Sequence, residues 1–197
     1  MFTDKLAGAR APMSSRRTDG PRGDGPGYRP LRCQGEVAFA SPLAADVARL
    51  LDVDPEVDHW RCWIAVDGLP FPTDFVTYGD RGVEHVFVRP EGTTDADCDD
   101  LPSGSRVVTP SDIDPVRLEN AKLILPLARW RVSLDDRVRL LAALDEEGSV
   151  TLADCLSIIR HTSRPVAAVA ALALARVVDL DLDMPLGART RVIRRAD

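Results

Sequence analysis

The sequence predicts an α/β protein in two folded parts, a helix-and-sheet domain over residues 35–132 and a small winged-helix domain over 133–197. Three observations carry this. Apolar residues recur at helical spacing from Ser41, alternate through β-branched and aromatic runs between residues 59 and 89, and then pass into three short capped helices and a hairpin. At 197 residues, 45% hydrophobic and 28% charged, the chain is long enough to bury cores of that size.

Residues 1–34 are rich in Gly, Pro, Ser and Arg and show no hydrophobic period, so they read as a disordered basic tail that cannot offset its ordering entropy. Folding is expected to open at Ser41, a helix cap followed by Pro42 at the first helical position. Leu43, Val47, Leu50 and Leu51 then share one face. Asp52-Val53-Asp54-Pro55 ends that helix. His59 to Val66 reads as a strand, Asp67-Gly68 as a tight turn, Asp74 to Tyr78 as a second strand, and Val83 to Arg89 as a third, stopped by Pro90. Together they predict a β-meander laid against the first helix.

Glu91 to Gly104, with Asp95, Asp97, Asp99 and Asp100, reads as an exposed acidic loop, and Arg106-Val107-Val108-Thr109 as a short further strand. Residues 111–132 look helical, with Leu118, Leu123 and Leu125 in the stripe and Pro126 breaking it. Ser133 then caps a helix to Leu144, Thr151 one to Ile159, and Ser163 with Arg164-Pro165 starts an Ala-rich third to about Val177. Leu180 to Asp183 and Thr190 to Arg194 bracket a turn, completing the helix, helix, helix, wing order of a winged helix.

Charge bounds the function. The net charge of −6 divides as +4 over residues 1–33, −12 over 34–115 and +2 over 116–197, so the middle is a poor DNA clamp and any contact with DNA should come from the ends. Cys33, Cys62, Cys98 and Cys155 are widely spaced, which suggests neither a disulfide framework nor a zinc site. No apolar run approaches a membrane span or a secretory signal, so a cytoplasmic protein with no membrane partner is expected. His59, His85 and His161 form no ligand pattern, and Trp60, Trp63 and Trp130 sit at core-like spacing.

Five separated pieces, spread over roughly residues 36–195, then combine. They are Ser41-Pro42-Leu43-Ala44, the stretch Leu51 to Val57, Thr73-Asp74-Phe75, Val86-Phe87-Val88-Arg89-Pro90 and the winged helix. In this order the chain resembles the TnsA-like transposon endonucleases of the restriction-endonuclease-like superfamily. The resemblance implies a mixed sheet with flanking helices and a metal-dependent nuclease site. In the family that site uses a helix Glu, a strand Asp, and a Gln or Glu two residues before a Lys. The corresponding places here are Ala44, Asp74, Phe87 and Arg89, so only the Asp is retained.

Strand alternation puts His85, Phe87 and Arg89 on one face and Glu84, Val86 and Val88 on the other. One carboxylate is a weak anchor for Mg²⁺, and a guanidinium cannot act as a general base. The expectation is therefore a degenerate, metal-free site in which Arg89 compensates Asp74. No cofactor is expected; Mg²⁺ enters only if the protein is an active nuclease whose missing acid has migrated to Glu36 or Glu91. Arg164 at the start of the third short helix, with Arg189, Arg191, Arg194 and Arg195 of the wing, is the candidate set for non-specific DNA contact. The alanines of that helix are expected to be exposed and to pack on a second copy or a transposase-like partner. The remaining alternative is a transcription regulator that uses its winged helix.

Overall fold

The computed structural model describes residues 28–65, 72–92, 101–102 and 104–195. Most of the expected tail, the Asp67-Gly68 turn, the acidic Asp95 to Asp100 run and Cys98 lie outside the described residues. The chain is mixed α/β, with a four-stranded mixed sheet and flanking helices.

Helix α1 (Pro42–Val53) begins where Ser41 Oγ accepts the Ala44 N–H at 3.1 Å, with Pro42 in the first turn. It lies on a sheet of β1 (Val57–Cys62), β2 (Phe75–Gly79), β3 (Gly82–Val88) and β4 (Ser105–Val108), in that spatial order. The first two pairings are antiparallel and the β3–β4 pairing is parallel. Ala44, Val47, Ala48 and Leu51 of α1 meet Trp60, Phe75, Val86, Val88 and Val108 in one core. Burial of each larger side chain contributes about 1.5–3 kcal/mol.

Strand β1 stops at Cys62, short of the expected Val66. Trp63 takes a left-handed φ of 54°, which turns the chain out of the pleat. At Gly79, paired with Val57 where β1 bulges, an added Cβ would collide with the Glu56 carbonyl, so the close approach of these backbones requires glycine.

The tail boundary is corrected as well. Residues 28–34 pack against the fold because the fully buried Asp52 carboxylate gathers four donors: Tyr28 Oη at 2.9 Å, Leu31 N at 2.7 Å, Arg32 N at 3.0 Å and Trp60 Nε1 at 2.8 Å. In sequence Asp52 reads as part of the acidic stretch that ends the first helix; in space it is the anchor of an N-terminal arm.

The expected helix over 111–132 is three pieces, a 3-10 turn at Pro110–Asp112, α2 (Pro115–Ile124) capped by Asp114, and a 3-10 turn at Leu125–Leu127. Its inward stripe is Leu118, Ala121, Ile124 and Leu125, whereas Leu123 points to solvent, because a period of 3.6 puts it on the outer side.

The last part contains α3 (Leu134–Glu147), β5 (Ser149–Thr151), α4 (Leu152–Ile158), α5 (Pro165–Leu174), β6 (Val178–Leu180) and β7 (Arg191–Arg194). The expected two-stranded hairpin is a three-stranded antiparallel sheet ordered β5-β7-β6. Three residues of β5 are too few to show alternation. Its core joins Leu140 and Leu144 of α3, Cys155 of α4, Val169 and Leu172 of α5, and Val178 and Val192.

The alanine expectation is overturned. Ala167, Ala168, Ala170 and Ala171 are all buried within the chain. Ala168, Val169 and Leu172 pack on α3 and α4, while Ala170 and Leu174 pack on Ala121, Ile124 and Leu125 of the first part. Small side chains let α5 approach two neighbours at once, so it is a central helix accessible mainly at its first turn. Among the described residues no helix is long and apolar enough to cross a membrane.

Candidate functional site

Asp74 stands immediately before β2, and Arg89 immediately after β3. The antiparallel β2–β3 register, with Phe75 opposite Val86, brings these strand ends together. Asp74 Oδ2 accepts the Val88 N–H at 2.9 Å and faces Arg89 Nη1 at 3.3 Å. The Arg89 guanidinium also donates to the Val88 carbonyl at 3.0 Å and lies over the Phe87 ring, 5.3 Å from its centroid. Asp74 and Arg89 therefore meet as the sequence predicts.

Burial raises the Asp74 pKa. The Val88 N–H and the Arg89 charge pull it back without cancelling the effect of burial. The Asp74 side chain is 12% exposed, so solvent does little to relieve that cost.

Ala44 and Phe87 are not drawn into this cleft. Ala44 is buried in the core on the α1 side of the sheet, and Phe87 is fully buried beneath Arg89. The cleft has a volume of about 550 Å³ and is lined by Ser41, Leu43, Trp63, Asp74, Arg89 and Glu91 among others. Trp63 is 46% exposed, with its indole N–H donating to Ala38 O at 2.9 Å. Its placement here follows from the left-handed turn, which strand-like sequence spacing could not reveal. Glu91 shares the cleft; Glu36 is not part of its lining.

Mg²⁺ is ordinarily held by carboxylate and phosphate oxygens with several waters in octahedral geometry. At the four positions expected from the resemblance the only carboxylate is Asp74, and it is already engaged by a guanidinium and a main-chain N–H. Ala44 and Phe87 supply no ligand atom. This donor set does not fit Mg²⁺. Among the described residues no three His, Cys, Asp or Glu side chains gather as a metal-holding group.

The basic candidates divide. Arg194 is ion-paired with Asp145. Arg195 lies 3.7 Å from Asp179 and donates to the Pro55 carbonyl at 3.0 Å. Arg191 donates to Ser149 Oγ at 2.9 Å, and Arg189 is exposed. Much of the charge in and around β7 is thus spent inside the chain.

Arg164 is exposed at the start of α5 and stacks on Trp130 at 5.2 Å. Arg129 and Arg131 flank that Trp, and Arg160 lies near the same turn. None of these four arginines has a carboxylate partner among the described residues. The turn is fixed by Asp136, whose carboxylate accepts the Arg160 N–H at 2.8 Å and the His161 N–H at 3.1 Å. Burial pushes the Asp136 pKa up, but these donors, with the His161 ring and Ser133, outweigh it and hold the value at about 2. Arg129 and Arg131 escape sequence reading, and Trp130 reads only as core, because the run is absorbed into the helix expected over 111–132, whereas it falls between elements.

No protein-family model matches this sequence, and no curated protein matches it significantly.

Proposed function

We propose that the chain is a noncatalytic relative of the TnsA-like transposon endonucleases. In this reading the first part is restriction-endonuclease-like, the last part is a winged helix, and the protein acts as a DNA-associated or assembly factor beside a transposase-type partner. The engagement of Asp74 carries the reading. Its carboxylate is held by Val88 N–H and Arg89, and the places that would complete a metal site bear a methyl group and a phenyl ring. The mixed four-stranded sheet with flanking helices is the architecture the resemblance implies.

DNA contact in this reading is non-specific and centres on Arg164, Arg160, Arg131 and Trp130 at the head of α5. The rest of α5 is covered by α3 and α4 on one side and by the first part on the other, which counts against an operator-reading regulator. Ion pairing inside the chain leaves Arg194 and Arg195 a smaller share.

A second reading has one observation in its favour. Glu91 lines the same cleft as Asp74 and would be the migrated acid of a working nuclease. Incubation of duplex and branched DNA with Mg²⁺ or Mn²⁺ separates the two. The pseudonuclease gives no cleavage, with or without Asp74→Ala, whereas cleavage abolished by Asp74→Ala and Glu91→Gln establishes the nuclease. In gel retardation at several salt concentrations, Arg131→Ala/Arg164→Ala should weaken retention and flatten its salt slope by about two. Unchanged retention would remove DNA from the proposal.

A further inference from the structure

The N-terminal arm completes the free edge of the sheet. Trp60 N donates to Arg32 O at 3.1 Å and Gln34 N to Trp60 O at 2.8 Å, so Cys33 forms a parallel bridge to Trp60. Alternation along β1 puts Trp60 and Cys62 on the same face. Cys33 and Cys62 both pack against the core of which Trp60 is a member, so the bridge at Trp60 sets the two thiols on one face as neighbours. Both are free and only partly buried, so a small oxidant can reach them.

We propose that Cys33 and Cys62 form a peroxide-reactive thiol pair, whose oxidation to a disulfide clips the N-terminal arm to β1. The two sulfurs have different roles. The neighbouring Cys33 thiol and the Ala38 N–H lower the pKa of Cys62 despite burial. The Cys62 sulfur and then burial raise that of Cys33. Cys62 is therefore the attacking thiolate and Cys33 the resolving thiol.

In the first step the Cys62 sulfur bonds to one peroxide oxygen as the O–O bond breaks. The leaving hydroxide takes up the proton that Cys62 gave up and becomes water. In the second step the Cys33 sulfur attacks the sulfenic sulfur of Cys62; the S–S bond forms, the S–O bond breaks, and the Cys33 proton leaves with the second water. Two thiols are oxidised by two electrons, and one hydrogen peroxide is reduced to two waters. The closed loop encloses α1 and fixes residues 28–34, and with them the point where the basic residues 1–27 join the fold.

Cys155 is an internal control, because it is fully buried and burial pushes its thiol up to about 11. Full-length protein carrying Cys98→Ser, treated with dilute hydrogen peroxide, alkylated and digested with trypsin, tests the assignment. Cleavage after Arg32 and Arg61 should release a linked Cys33–Cys62 peptide pair that dithiothreitol separates, with Cys155 still a free thiol. The oxidised protein should melt several degrees above the reduced one. In Cys33→Ser, Cys62 should stop at a dimedone-trappable sulfenic acid, whereas Cys62→Ser should leave Cys33 without an adduct. Free Cys33 and Cys62 after peroxide, a link between two molecules, or trapping at Cys33 alone would overturn the proposal. The peptide map of the protein with both thiols intact decides it even if a Ser variant fails to fold.

Discussion

At the residue scale, Asp74 behaves unlike an ordinary paired carboxylate. A carboxylate stabilised mainly by its partner has a depressed pKa, and its contribution is lost as pH falls. Burial instead raises the Asp74 pKa in the folded protein, so its contribution is greatest below the unfolded value of about 3.9 and is lost as pH rises towards the folded value. Asp74→Asn should therefore match the parent's stability in acid and equal or exceed it at pH 7. Arg89→Met should do the reverse, leaving a buried anion without its guanidinium. Because both side chains keep some solvent contact, the loss at pH 7 should be about 1–2 kcal/mol, shrinking towards pH 4. Urea melts of the three proteins between pH 4 and 8 check both signs, and a larger loss for Asp74→Asn than for Arg89→Met at pH 7 would refute this account. The Asp74–Arg89 pair was legible in the sequence because strand ends obey a simple alternation. Asp52 and Asp136 were not, since the donors that make them structural come from residues 8 to 25 positions away.

At the element scale, α5 shows how a local pattern is read correctly and then assigned to the wrong partner. Its start was legible from Arg164-Pro165, and its nearly unbroken apolar run is the mark of a helix covered all round. Alanines in such a run signify close approach, and here the neighbours are α2, α3 and α4 of the same chain. The end of α5 was harder to foresee. Arg176 N donates to Ala173 O at 2.9 Å and Val177 N to Leu172 O at 3.0 Å, a terminus that ordinarily places glycine where Arg176 sits at φ 59°. The Arg side chain accounts for the exception, because it reaches back to Asp58 and the Val57 carbonyl at the start of β1. Two terms thus oppose each other at one residue, backbone strain and a long-range tie. Arg176→Gly removes both, whereas Arg176→Ala keeps the strain and loses the tie. Thermal denaturation should rank the parent above Gly and Gly above Ala, with the last two separated by about 1 kcal/mol. A Gly variant more stable than the parent would show that the tie contributes less than the strain costs.

At the scale of the whole molecule, the boundary expected near residue 132 divides the sequence more cleanly than it divides the core. Val53, Ala121, Ile124 and Leu125 from one side share a cluster with Ala170, Leu174 and Leu182 from the other. Composition and helix rhythm change at that point, which is why two parts are expected from the sequence, but contacts across it depend on surfaces that no local period encodes. Asn120 is the most exacting of these contacts. It is 3% exposed, its Nδ2 donates to Leu182 O and Met184 O at 2.8 Å, and its Oδ1 accepts Leu186 N at 3.2 Å. A buried amide satisfied in this way fixes one arrangement of the β6–β7 loop against α2, because any shift strands polar groups away from water. Asn120→Ala would leave two carbonyls and one N–H unpaired, a cost of about 2–4 kcal/mol. Because the shared core couples the parts, that cost should lower one common transition, by roughly 2–4 °C for each kcal/mol, instead of releasing the last part to melt early. Calorimetry on the parent and Asn120→Ala distinguishes these outcomes. A single peak displaced intact means that the helices and small sheet at the C-terminal end are rigidly carried by the first part, so an accessory surface at the head of α5 is held at a fixed position relative to the Asp74 cleft. Two resolved peaks in the parent would mean that the parts move independently and that α5 can be uncovered.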